Sequence, residues 1–170
     1  EVTEAVRTHW PDHKPLFVRL SVEDSAGWGS EQSARLAKIL KAKGVDVIDC
    51  SSGGITDMAP ILGKEIKYNY QVPLSEYVKR HADIMTMAVG LIIHGDQAED
   101  ILRAKQADLI AVGREILNNP NWPMDAALKL GVEGPFRNVP PQFGYWLGTR
   151  AKRGFGTQPF EVAVDEEMYE

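Results

Sequence analysis

The chain has 170 residues, 19 of them Lys or Arg and 24 Asp or Glu, for a formal charge of −5 at neutral pH. That length suits one ordinary domain, and a composition 44% hydrophobic and 25% charged excludes disordered and fibrous classes, while the acidic balance argues against a nucleic-acid partner. A single cysteine excludes an internal disulfide and a thiolate metal cluster, and no apolar run nears the roughly 20 residues that cross a bilayer, so a cytoplasmic protein with no membrane partner is expected.

In chain order, Val2, Ala5, Val6 and Trp10 read as the end of an amphipathic helix whose beginning is missing. Four short β-rich runs follow: Leu16–Ser21, Val45–Ser51, Ile84–Gly90 and Leu109–Gly113. Their spacing of roughly 25 to 40 residues predicts β/α units and a parallel sheet. Each is nearly continuous in apolar residues, as strands covered on both faces are. Ser30 caps a predicted helix over Glu31–Lys43, ended by Gly44. The Gly- and Pro-rich stretch from Gly53 to Leu74 predicts a long functional loop. Asp96 and Glu99 form a capping-box pattern opening a helix to about Ala104, and a further helix runs from near Trp122 to Leu130, stopped by Gly131. Beyond it, residues 132–170 hold Pro135, Pro140, Pro141 and Pro159 among Phe136, Phe143, Tyr145, Trp146, Phe155 and Phe160. This predicts an extended aromatic-rich tail that packs on the domain, a partner chain or a ligand.

Four strands are half of an eight-stranded barrel, which takes ~250 residues. An open doubly wound sheet is the alternative, and the expectation is a fragment: residues 1–131 as four β/α units and 132–170 as the tail.

Gly90 and Gly113 close the third and fourth runs, and Arg114 follows directly. Glycines that let a phosphate approach backbone N–H groups, with an arginine beside them, suit the phosphate site that consecutive βα loops build; tight βα corners are the structural alternative. Arg19 interrupts an apolar strand, and a buried guanidinium needs a partner, either an electron-rich ligand atom or a carboxylate such as Asp49. Cys50 reads as a small buried hydrophobe. His9, His13, His81 and His94 show no metal-ligand spacing, and a metal site is not expected.

Four ordered blocks, KPLFVRLS (14–21), GVDVIDCSSGG (44–54), AVGLI (88–92) and ADLIAVGREILNNPNW (107–122), resemble the C-terminal half of old yellow enzymes, in the branch of thermophilic-like and xenobiotic-reductase ene-reductases. The resemblance spans residues 1–147 and implies an α/β fold, strands five to eight of a (β/α)₈ TIM barrel. It implies FMN as cofactor, NADH or NADPH as reductant, and a small activated alkene as substrate, with hydride passing through the flavin in a ping-pong sequence. Arg19 would contact the pyrimidine side of the flavin and favour its anionic reduced form, while Gly90, Gly113 and Arg114 would hold the phosphate. Ser52 and Gly53 would line the cavity. PPQFGYWL (140–147) is similar to the family's C-terminal segment, so Trp146 and Tyr145 would reach a neighbouring subunit's substrate pocket in a homo-oligomer. The family's catalytic His pair and Tyr belong to the other half of the barrel, so no catalytic residue is assigned here, and the missing N-terminal half is an expected partner. The remaining alternatives are a non-catalytic half-barrel interaction protein and another FMN- or phosphate-binding barrel enzyme, of which a dienoyl-CoA reductase relative would carry additional cysteines.

Overall fold

A computed structural model describes residues 1–54 and 66–154. Four strands, β1 (Phe17–Ser21), β2 (Val47–Ser51), β3 (Met85–Ala88) and β4 (Leu109–Ile110), form one sheet in chain order. All three pairings are parallel, with Phe17 opposite Val47, Val47 opposite Met85 and Met87 opposite Leu109. The four predicted runs therefore all carry strands, although β4 keeps only two residues.

Alternation along the strands gives the sheet two unlike faces. Val18, Leu20, Ile48 and Cys50 pack against Ala37 and Leu40 of α2 (Ser30–Ala42) and Val78 and Ala82 of α3 (Val72–Ala82). Ala88 and Ile110 pack with Ala98 and Ile101 of α4 (Gly95–Arg103) and with Val72. Arg19, Asp49 and Met87 stand in register on the opposite face, on which Phe17, Met85 and Leu109 are exposed. Two aspartates in equivalent places tie neighbouring strands together where they begin. Asp46 Oδ2 accepts the Leu16 N–H at 2.7 Å, and Asp108 Oδ2 accepts that of Thr86 at 2.9 Å.

Helix ends follow their local chemistry. α2 stops in a Schellman turn: the Gly44 N–H reaches Lys41 O at 3.0 Å, and the Val45 N–H reaches Leu40 O at 3.1 Å. Gly44 takes φ +83 there, and the apolar partners Leu40 and Val45 share the core. At α4 the capping carboxamide is Gln97 rather than Glu99: its Oε1 accepts the N–H groups of Ile93 and His94 at 2.9 and 3.2 Å. The opening residues form α1 (Val2–His9), tied to the C-cap residue of α2 by the Glu4–Lys43 ion pair.

Two regions differ from expectation. α3 begins inside the stretch expected to be loop, with Pro73 in its first turn, where a missing N–H costs nothing; residues 55–65 of that stretch lie outside the described residues. The chain divides into two compact units, Glu1–Trp122 and Pro123–Glu170, and the described part of the second is largely helical where an extended tail was expected. It contains most of α6 (Trp122–Lys129) and all of α7 (Pro141–Lys152). Pro140 and Pro141, which suggest extended chain, instead start α7, because proline's fixed φ suits a first helical position. Within that unit α7 lies close to the segment before it, a Cβ on Gly144 falling 2.8 Å from Phe136 O. Phe155, Pro159 and Phe160 lie outside the described residues. Among the described residues no helix is long and apolar enough to cross a membrane.

Candidate functional site

The C-terminal ends of the strands open onto a cleft of about 680 Å³, within the size range of small-ligand sites. Arg19, Ser52, Gly90, Gly113 and Arg114 all line it. β3 and β4 bring the two glycines to one rim: Ala88 pairs with Ile110, the Ala111 N–H reaches Ala88 O at 2.8 Å, and each glycine follows within a few residues. Among the described residues the Arg114 side chain has no ion-pair or hydrogen-bond partner. Glu115 also lines the cleft, and its Oε1 accepts from Asn118 Nδ2 at 3.1 Å.

Gly90 meets two separate demands. Its φ of +114 is a conformation that L side chains rarely adopt, and an added Cβ would sit 2.9 Å from Gln71 Oε1 and 3.0 Å from Tyr70 Cε1. Gly113 differs, since an added Cβ meets nothing within 4 Å. Open space bordering an arginine without a partner is a fit for an anionic group.

Arg19 has the carboxylate partner that one sequence reading named, and it also lines the cleft. Its Nη1 lies 3.4 Å from Asp49 Oδ2, its Nε donates to Ser51 Oγ at 3.4 Å, and its side chain is still 60% exposed at the cleft. The guanidinium is therefore not buried, as its place in an apolar strand suggested. It lies on the open face of the sheet, with its charge shared between a carboxylate and the cleft. Asp49 is buried; loss of water pushes its carboxyl above the usual range, and Arg19 offsets only part of that rise.

Gln71 and Tyr70 escaped the sequence reading, yet both line the cleft. Gln71 is only 4% exposed, and its Nε2 donates to Ser52 Oγ at 2.7 Å, bracing the loop after β2 beside Gly90. A carboxamide directly before a Val-Pro helix start was the available signal. Gly53 is held outside the cleft lining, its N–H on Glu23 O at 2.8 Å and its carbonyl accepting from Ser21 Oγ at 2.6 Å.

Tyr145 and Trp146 lie in the second unit, on α7. They are 67 and 69% exposed, and their rings meet edge to face at 5.2 Å. Cys50 is buried, and burial and the neighbouring Asp49 push its thiol up to about 12. Iodoacetamide at pH 8 is expected to leave it unmodified in the folded chain and to alkylate one thiol per chain in guanidinium. Rapid labelling under native conditions would contradict the packing described. His9 and His81 turn Nδ1 to the carbonyls of Ala5 and Tyr77 at 3.0 and 2.8 Å. Among the described residues no group of three or more His, Cys, Asp or Glu could hold a metal ion.

The family model described as NADH:flavin oxidoreductase / NADH oxidase matches residues 1–132. An NADPH dehydrogenase of Halalkalibacterium halodurans is 48% identical over 139 residues, covering 79% of this chain and 39% of that protein. One from Listeria monocytogenes is 44% identical with the same coverage, and one from Geobacillus thermodenitrificans is 44% identical over 135 residues, covering 78% of this chain and 38% of that protein. The chain spans about two fifths of the length of these relatives. Among solved structures, an N-acetylneuraminate lyase from Mycoplasma synoviae aligns with a TM-score of 0.44 at 17% identity, over 90% of this chain and 54% of that one.

Proposed function

The chain belongs to the NADH:flavin oxidoreductase / NADH oxidase family, and from that premise we propose that it is four consecutive β/α units of a (β/α)₈ barrel, supplying the FMN phosphate site and one flank of the flavin. The observation that carries this reading is the convergence of Arg19, Gly90, Gly113 and the partnerless Arg114 on one cleft at the strand ends. Two cations and an open glycine rim fit a dianionic phosphate attached to an electron-rich ring. FMN, when bound, supplies hydride transfer; the protein orients it and tunes its electronics. Here Arg114 neutralises phosphate charge, Gly113 leaves room for the phosphate to approach the backbone, and Arg19 offers positive charge to the ring.

In the whole protein the reaction is reduction of an activated C=C bond by NAD(P)H, with NADPH favoured by the name of the relatives. The remaining half of the barrel contributes the groups that polarise the alkene and protonate it. Tyr145 and Trp146, exposed on α7, complete the pocket of a neighbouring subunit.

FMN binding tests this reading. Titration of FMN with the chain, followed by flavin fluorescence, is expected to saturate at one FMN per chain. Riboflavin, which lacks the phosphate, is expected to bind about 100-fold more weakly, the worth of roughly two charge-assisted hydrogen bonds at ~1.5 kcal/mol each. Equal affinities would remove the phosphate assignment. No binding of either would favour the second reading, a half-barrel that acts by pairing, for which the exposed Phe17, Met85 and Leu109 on the open sheet face are the supporting observation.

A further inference from the structure

Asp49 is the group in this region whose burial the phosphate and flavin contacts leave unexplained. It sits on the inner strand β2, opposite Arg19 on one side and Met87 on the other. Its Oδ2 faces the Arg19 guanidinium at 3.4 Å, while its Oδ1 is buried with no hydrogen-bond partner. Asp49 is not among the residues lining the cleft; Arg19 and Ser51 are. Ser51 Oγ, which accepts from Arg19 Nε, itself donates to Leu20 O at 3.0 Å. The carboxylate thus stands behind the cation and touches the cleft through it alone.

Burying a half-satisfied carboxylate costs more than burying an apolar side chain of similar size, so stability does not account for this residue. Its electrostatic effect is specific. A lone guanidinium presents a full positive charge, whereas one in contact with a carboxylate presents a dipole, whose field falls off much faster with distance. The Arg19–Asp49 pair therefore delivers to the cleft only part of the charge that Arg19 alone would deliver.

We propose that Asp49 is a positioning residue that sets how much of Arg19's charge reaches the cleft, and through it the reduction potential of the flavin held there. The inference rests on the flavin reading above. Arg19 stabilises the additional negative charge of the reduced cofactor; Asp49 restrains that stabilisation and fixes the direction in which the guanidinium points.

The test is the two-electron midpoint potential of FMN bound to the chain, measured by dye equilibration for the wild type and Asp49→Asn, with far-UV circular dichroism confirming the fold. Asparagine keeps the size and removes the charge. The reduced form is expected to gain at least tenfold in affinity over the oxidised form, a rise of about 30 mV for a two-electron couple. Should the asparagine variant fail to fold, Asp49→Ser serves the same purpose. An unchanged potential in a folded, FMN-loaded variant overturns the proposal, because a merely structural aspartate would lower stability and leave the potential alone. The same rise in an Arg19→Gln background also overturns it, since Asp49 would then act directly and not through Arg19. If the wild type fails to bind FMN, the flavin reading itself falls, a result distinct from either.

Discussion

Alanine at position 90 is expected to abolish FMN binding and to destabilise the fold by about 2–6 kcal/mol, the sum of backbone strain and overpacking that such a change imposes. Gly90 holds φ +114, and the new methyl would press on Gln71 Oε1 at 2.9 Å and Tyr70 Cε1 at 3.0 Å. Gln71 cannot yield freely, because it is buried and its carboxamide is bonded to Ser52. The disturbance would therefore pass from the end of β3 to the loop after β2. Gly113→Ala is the matched control. A Cβ there meets nothing within 4 Å, so thermal stability should change by less than ~1 kcal/mol, while the methyl intrudes on the rim and weakens FMN at least tenfold. Thermal denaturation alongside FMN titration checks both. Equal stability losses for the two variants would show that the glycines serve only as corners.

Arg114→Ala is the second large effect. Arg114 has no ion-pair partner among the described residues, so its removal leaves no stranded carboxylate and should barely move the melting temperature. Hydrogen bonds to a charged group contribute about 1.5–3 kcal/mol, so FMN affinity should fall roughly 10- to 100-fold, while riboflavin affinity stays unchanged. Lysine at 114 should recover part of the loss, since it restores the charge without the planar fork. Parallel weakening of FMN and riboflavin would place Arg114 at the ring instead of the phosphate.

How much of this was readable beforehand depended on which force fixed each element. Continuous apolar runs such as VDVIDCS and IMTMAVG predict strands because burial on the helix side and pairing on both edges select the same residues. Gly90, Gly113 and Arg114 were legible as a group because parallel strands in chain order must bring their ends to one rim. Three features were not. α3 starts at Val72 inside polar, Gly-rich sequence, and its apolar face emerges only when Val78 and Ala82 meet α2 and β2. α7 hides behind Pro140 and Pro141, which read as extended chain until proline is seen to open a helix. Gln71 is polar and loop-like in sequence, and only the packing shows that it braces Ser52 beside Gly90. The choice of Gln97 over Glu99 as the capping side chain likewise turned on which one faced the Ile93 and His94 amides.

Spatial order matching chain order has a consequence for biosynthesis. β2 docks on β1, β3 on β2 and β4 on β3, so every strand's earlier neighbour has left the ribosome before it. Some 30 residues separate successive strands, about 2–6 s of translation at usual elongation speeds. Each unit can thus settle on its predecessor while the next is still being made. For these three pairings the growing edge is shielded one step at a time, and none of them waits for a distant segment.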